Sequence, residues 1–325
     1  MSALLLTRAE IAGLMRPTDY LGAVETAFLL ASRGLAQAPA PMAIHTCGGG
    51  AFHAKGAALL GVRRLAALKL NGNFPRNPAR GLPTIQGVIL LCDAETGAVL
   101  AIMDSIEITL RRTAAASALA AKFLARAASR TLAVVGCGAQ ARPQMEALRD
   151  VLPLTHALLY DADHERSEAL AAKMHAAFAC QAVGNPRRAT LEADVIVTCT
   201  TARAPILDVD DIAPGAFVAA VGADNPEKNE LAPRLMAKAK VVADVVEQAL
   251  VMGDLRHAVS AGAMSAAHVH AELSEVVAGA KPGRENDSEI VVFDSTGTAI
   301  QDAASAALVY ERALAQGVGA MVELA

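Results

Sequence analysis

The sequence predicts an α/β protein: a doubly wound parallel sheet preceded by a smaller α+β domain. Three observations carry that expectation. From Thr131 onward, short apolar runs rich in β-branched residues alternate with runs of helical spacing. The short runs are apolar throughout, as in strands that helices cover on both faces. Before residue 120 this alternation is missing, and long strand patterns fold back on each other.

In chain order, "RRLAALKLNGNF" and "TIQGVILLCDAETGAVLAIMD" read as strands, the second turned back at "DAETG". "IEITLRRTAAASALAAKFLARAAS" reads as one long helix leading into the first strand of the parallel sheet. That sheet is expected from "TLAVVG", "HALLYD", "DVIVTCT", "FVAAVGA", "KVVADV" and "IVVFDS", with helices at "HERSEALAAKMHAAF" and "NELAPRLMAKA". A final helix, "AIQDAASAALVYERALAQG", follows the last strand and is expected to return to the first domain. The predicted division is 1–120 with 300–325, and 121–299.

Composition narrows the function classes. Hydrophobic residues are 54% and charged residues 19% of 325, enough apolar surface for two cores. No apolar run reaches the roughly 18 residues of a membrane span. The start, "MSALLLTRAEIAGLM", has neither a basic leader region nor a small-residue cleavage site, so a cytoplasmic location is expected. The net charge of -4 comes from interspersed signs with no basic block, which argues against nucleic acid as a partner. Cys47, Cys92, Cys137, Cys180 and Cys199 form no C-x-x-C pair, so neither a disulfide framework nor a thiolate metal site is expected. "HVH" (His268, His270) has nothing nearby to complete a metal site and reads as a solvated loop.

The most informative stretch is "TLAVVGCGAQARPQMEAL". Gly136 ends a strand, Gly138 lets backbone approach a pyrophosphate, and Ala141 permits close packing of the next helix on the sheet. Ala139 and Gln140 lead into that helix, whose free N–H groups and positive dipole end suit phosphates. At the end of the next strand, Asp161 lies 20 residues beyond Ala141. An acid there accepts hydrogen bonds from an adenosine ribose and repels a 2′-phosphate, which favours NAD over NADP. The plainer alternative is a turn glycine pair and a surface acid. With its strand-helix context, the turn reads as a Rossmann-type cofactor site, to which Thr198 and Thr200 at the end of "DVIVTCT" are assigned as further contacts.

Several motifs in order resemble the ornithine cyclodeaminase/mu-crystallin family: "LKLNGNFPRN", "LRRTAAAS", "VGCGAQA", "VGADNPEKNEL" and "DSTGTAIQDAASAALVYERA". The resemblance covers nearly the whole chain. It implies a homodimer with an N-terminal domain for dimerisation and substrate binding, an NAD(P)-binding domain, and a small amino or imino acid as substrate. It also implies roles for single residues. Lys69 and Arg112 match cations that hold the substrate carboxylate, and Asp224 matches an acid that engages the amine or orients water. Ser295, Thr296 and Gly297 fall where a nicotinamide-side contact is expected. Each has a plainer reading: Arg112 as a solvated helix-start cation, Asp224 as a helix cap, Ser295–Gly297 as an ordinary turn.

One departure stands out. The position of an early-strand arginine in the cyclodeaminase is Met42 here, while "FHAKG" supplies His53 and Lys55. The glycines of "AIHTCGGGAFHA" predict a hairpin that sets Met42 and Lys55 on paired strands, where Lys55 stands in for the arginine or is merely an exposed strand lysine. The function expected is hydride transfer between NAD and the Cα of a small α-amino or imino acid. The alternatives are ornithine cyclodeamination and a non-catalytic NAD(P)-binding protein.

Overall fold

The computed structural model describes residues 2–46 and 49–324, so Cys47 and part of the glycine run lie outside the described residues. The chain divides into two compact units, Met1–Arg112 with Thr298–Ala325, and Thr113–Gly297. The first boundary falls inside the helix α3 (Ser105–Leu124), where the predicted division lies after residue 120.

The first unit is built on one mixed sheet. Its strands are β1 (Ser2–Leu6), β2 (Ala36–Gln37), β3 (Met42–His45), β4 (Ala51–Leu60), β5 (Arg64–Asn73), β6 (Ile85–Asp93), β7 (Val99–Asp104) and the closing strand Ala320–Glu323. Their order is Ala320–Glu323, β1, β7, β6, β5, β4, β2, with β3 also beside β4. The run β4–β5–β6–β7 is an antiparallel meander. The turn between β6 and β7 forms where "DAETG" predicts it, because the Asp93 carboxylate accepts the N–H groups of Glu95 and Thr96.

Helices α1 (Arg8–Leu14), α2 (Pro17–Ser32) and the C-terminal helix Ala299–Gln316 complete this unit. The C-terminal helix starts at Thr298, whose hydroxyl accepts the Ile300 N–H, and ends at Gly317, where φ is 63°. Its buried Ala299, Ala303, Ala306 and Ala313 let it lie close against β4 and β5. The other face of the sheet is also apolar. Met42, Ile44, Phe52, Leu68, Leu70 and Val88 are all exposed.

The second unit is a parallel sheet. Its strands are β8 (Thr131–Val135), β9 (His156–Tyr160), β10 (Ala179–Ala182), β11 (Val195–Thr198), β12 (Arg203–Leu207), β13 (Phe217–Ala220), β14 (Asn229–Leu231), β15 (Lys240–Ala243), β16 (Ala271–Glu272) and β17 (Val291–Asp294). The order β10, β9, β8, β11, β13, β17, β15, β16 reverses direction between β8 and β11, while β12 and β14 pair separately. Such a reversal leaves a crevice at the strand C-termini, the usual ligand position in an open α/β sheet. The strands predicted from Thr131 onward are all present. "NELAPRLMAKA" is not one helix: buried Asn229–Leu231 pairs as β14, and only Pro233–Lys238 is helical. Pro233 explains the break, since it disfavours helix in the preceding residue and starts a new one well. Among the described residues, no helix is long and apolar enough to cross a membrane.

Candidate functional site

The glycine turn sits at the sheet's reversal point. Gly136 follows β8 with φ of 99°, a conformation that favours glycine. A Cβ there would meet the Thr200 Cγ2 at 2.8 Å and the Cys199 carbonyl at 2.9 Å, so the turn passes against the end of β11. Gly138 faces open space, with nothing within 4 Å of where its Cβ would stand. Ala139 and Gln140 carry the chain into the helix α4 (Ala141–Val151), whose first residue is fully buried. A cavity of about 350 Å³ adjoins the turn, lined by Gly138, Ala139, Arg142 and residues of the helix α5 (His164–Met174). This open, glycine-floored approach to a helix N-terminus fits the pyrophosphate of a dinucleotide.

Asp161 closes the other side. Its Oδ2 accepts the Cys137 N–H at 2.7 Å and its Oδ1 accepts the Asp163 N–H at 2.9 Å. Each oxygen keeps a further lone pair for a ribose hydroxyl. The carboxylate is therefore anchored to the turn itself.

Thr198 and Thr200 serve the frame of this site. The Thr198 hydroxyl is fully buried and donates to Glu230 Oε2 at 2.7 Å, and the Thr200 N–H donates to Glu230 Oε1 at 2.7 Å. The Gly222 N–H donates to the same carboxylate, which thus ties together the ends of β11 and β13. Glu230 is held in turn by Asp254, whose Oδ1 accepts the N–H groups of Glu230 and Leu231. Asp294 accepts the N–H groups of Asp254 and Leu255. Ser295 extends the β13–β17 ladder through its N–H to Ala220. The Thr296 hydroxyl and Gly297 N–H both donate to Asp244. Sequence reasoning missed this line of four acids. Their signal was an acid at a strand end or helix start within an otherwise apolar stretch.

In the first unit, Lys69 and Arg112 come together around a residue not anticipated from the sequence. Lys69 Nζ lies 2.6 Å from Asp302 Oδ2, and Arg112 Nε donates to Asp302 Oδ1 at 2.9 Å. Arg112 also donates to Gln301 Oε1 at 2.9 Å, and Lys69 Nζ to the Thr109 hydroxyl at 3.5 Å. All three charged side chains are 5% exposed or less. Burial pushes Lys69 down to about 7; Asp302 opposes that shift, while Arg112 and Lys55 add to it. Burial alone would raise the Asp302 carboxyl, but Arg112 and Lys69 outweigh it and hold it below the usual carboxylate range. Asp302 was legible in principle as an acid within the small, apolar run "AIQDAASAALV".

The hairpin of β3 and β4 forms, but its register corrects the expected pairing. Met42 stands opposite Ala54, not Lys55, and side chains alternate faces along a strand. Met42 is therefore on the exposed apolar face, and Lys55 is on the face packed by the C-terminal helix. Directly across from Lys55 is Lys69. Asp224 also differs from its plainer reading. No helix follows it to be capped, and it lies in the turn after β13, half-exposed and 2.7 Å from Lys228 Nζ.

With this geometry in view, the relatives of the chain are informative. Residues 1–317 match the model of the ornithine cyclodeaminase/mu-crystallin family. Alanine dehydrogenase of Archaeoglobus fulgidus is 40% identical, with 99% of each chain covered. Among solved structures, an archaeal alanine dehydrogenase dimer with bound NAD superposes with a TM-score of 0.95 at 39% identity, both chains fully covered. Δ1-pyrroline-2-carboxylate reductase of Thermococcus litoralis, in complex with NADH and L-proline, gives 0.92 at 36% identity, covering 98% of this chain and 99% of that one. A match over almost the whole length, with both the glycine turn and the buried cation pair in place, leaves one assignment: the chain belongs to the ornithine cyclodeaminase/mu-crystallin family.

Proposed function

We propose that this family member transfers a hydride between NAD and the Cα of a small α-amino or imino acid, with Lys69 and Arg112 holding the α-carboxylate. The observation that carries the reading is the charge balance at Asp302. One buried carboxylate is shared by two buried cations, which leaves a positive charge in a dry site where charges need partners. A substrate carboxylate supplies the missing charge through charge-assisted hydrogen bonds.

The chemistry divides between the units. NAD, when bound, supplies the hydride donor or acceptor. The second unit's own part is to seat a dinucleotide at Gly136–Ala141 and Asp161, with Ser295 held by the Ala220 carbonyl and Thr296 and Gly297 by Asp244. The first unit fixes the carboxylate and so the position of Cα, which lowers the barrier by orientation. Asp224 is the residue assigned to proton transfer at the reacting nitrogen. The exposed apolar face bearing Met42, Phe52, Leu68 and Leu70 is assigned to a second copy of the chain, giving a homodimer.

The test follows NADH absorbance with a panel of cyclic imino acids and of 2-oxo acids plus ammonium. Substrate-dependent oxidation is expected. Lys69→Ala should lower kcat/KM by at least about tenfold, the loss of one charge-assisted bond. NADH affinity, read by fluorescence, should stay within about twofold. Full activity in Lys69→Ala, or no oxidation with any substrate, overturns the assignment.

A further inference from the structure

The start of the C-terminal helix sets two neighbouring side chains on one guanidinium. Asp302 Oδ1 accepts from Arg112 Nε, and Gln301 Oε1 accepts from Arg112 Nη1, each at 2.9 Å. Acceptors on two nitrogens of a rigid planar group fix both its position and its plane. The third nitrogen, Nη2, is in neither bond. Gln301 is fully buried, and Asp302 and Arg112 are nearly so.

The orientation of the Gln301 amide follows from its partner. A guanidinium only donates, so the amide turns its oxygen to Arg112 and leaves its nitrogen without a role there. That nitrogen, Nε2, is buried and meets no acceptor among the described residues. A buried donor left unpaired destabilises a fold. Glutamate at this position would accept from Arg112 equally well and would strand no donor. It would also set a second carboxylate on Arg112, which already shares Asp302 with Lys69. The acceptor here is thus neutral at the expense of stability, and its neutrality preserves the positive charge of the guanidinium.

We propose that Gln301 is a positioning residue for substrate capture, fixing the Arg112 guanidinium without neutralising it and leaving Nη2 for the substrate α-carboxylate. The inference rests on the function proposed above, in which Lys69 and Arg112 hold that carboxylate. A guanidinium braced in this way meets its ligand without first losing rotamer freedom, which favours both binding and orientation of Cα.

Two substitutions at this position separate the brace from the charge, with turnover followed by NADH absorbance on the best substrate of the panel. Gln301→Met removes the acceptor and the stranded donor while keeping side-chain length. Its kcat/KM should fall at least about tenfold. In an Arg112→Ala background the same change should cost less than about threefold, because no guanidinium remains to be held. Gln301→Glu keeps the acceptor and adds a charge, so KM should rise at least about tenfold with kcat changed less. NADH affinity within about twofold of the unmodified protein verifies that each variant is folded. An unchanged KM in Gln301→Glu, or an equal loss from Gln301→Met in both backgrounds, overturns this proposal and leaves the hydride-transfer reading standing. Full activity in Arg112→Ala overturns the carboxylate clamp itself, and this inference with it.

Discussion

Each unit buries a cluster of ionisable groups, and the two clusters are neutralised in opposite ways. In the second unit the excess is negative: Glu230, Asp254 and Asp294 lie in line with no cation among their hydrogen-bond partners. Backbone N–H groups and a threonine hydroxyl hold them, with only Asp254 Oδ2 left without a hydrogen bond, and burial raises the carboxyl groups, Asp294 to about 7. In the first unit the excess is positive: Lys69 and Arg112 share Asp302, and backbone N–H groups take no part. The acids are held by the backbone of their own unit, so they brace loops. The cations leave a charge for a ligand, so they form a binding site. A buried charge points to a ligand only when the fold itself does not complete its neutralisation.

The comparison breaks first at Asp302. Asp302→Asn removes the carboxylate between two cations and leaves both buried without a counter-charge. A loss of roughly 3 kcal/mol in unfolding free energy is expected, the scale for breaking a buried ion pair by removing one partner. Activity should fall at least about a hundredfold, since Lys69 and Arg112 then repel each other. Urea unfolding alongside NADH kinetics measures both. A loss below about 1 kcal/mol would place Asp302 with the self-sufficient acids of the other unit.

The two clusters were unequally legible in the sequence. The parallel sheet and its glycine turn were readable because period, turn chemistry and the spacing to Asp161 are local signals. Lys69 stood out as a charge on an apolar strand. Asp302 did not, because its partners are 190 positions or more away in sequence and only packing brings them together. The register of β3 on β4 was misread for a related reason. A glycine run allows several turn lengths, and a one-residue slip sends Met42 to the opposite face. The acids of the second unit were missed because their partners are backbone N–H groups, which no side-chain pattern reports.

The pH dependence sharpens the comparison at intermediate scale. Burial sets Lys69 to about 7 in the free protein, and only its charged form holds a carboxylate. Substrate capture should therefore weaken as pH rises through about 7, with kcat/KM falling about tenfold per unit well above it. Lys69→Arg keeps its charge across this range and should flatten the limb. The check is kcat/KM of the unmodified protein and the variant between about pH 6 and 9. A limb unchanged in Lys69→Arg assigns the titration to another group.

The smallest effect belongs to Asp254, and it tests the other half of the comparison. Asp254 is fully buried, and its Oδ1 takes two backbone N–H groups. Burial, with Asp294 and Glu230 nearby, pushes its carboxyl well above the usual range, which favours the neutral form in the fold. Asparagine is neutral, has the same shape, and keeps the acceptor for both N–H groups. Because the folded pKa is raised, the stability this acid contributes is full below the unfolded value of about 4 and is lost as pH climbs towards the folded value. Asp254→Asn removes that loss. At pH 7 the variant should match the unmodified protein within about 1 kcal/mol or exceed it, and its stability should decline less between about pH 4 and 7. Urea midpoints across that range make the measurement. A penalty as large as that of Asp302→Asn would mean that Asp254 is ionised in the fold, and that the two units do not differ in how they neutralise buried charge.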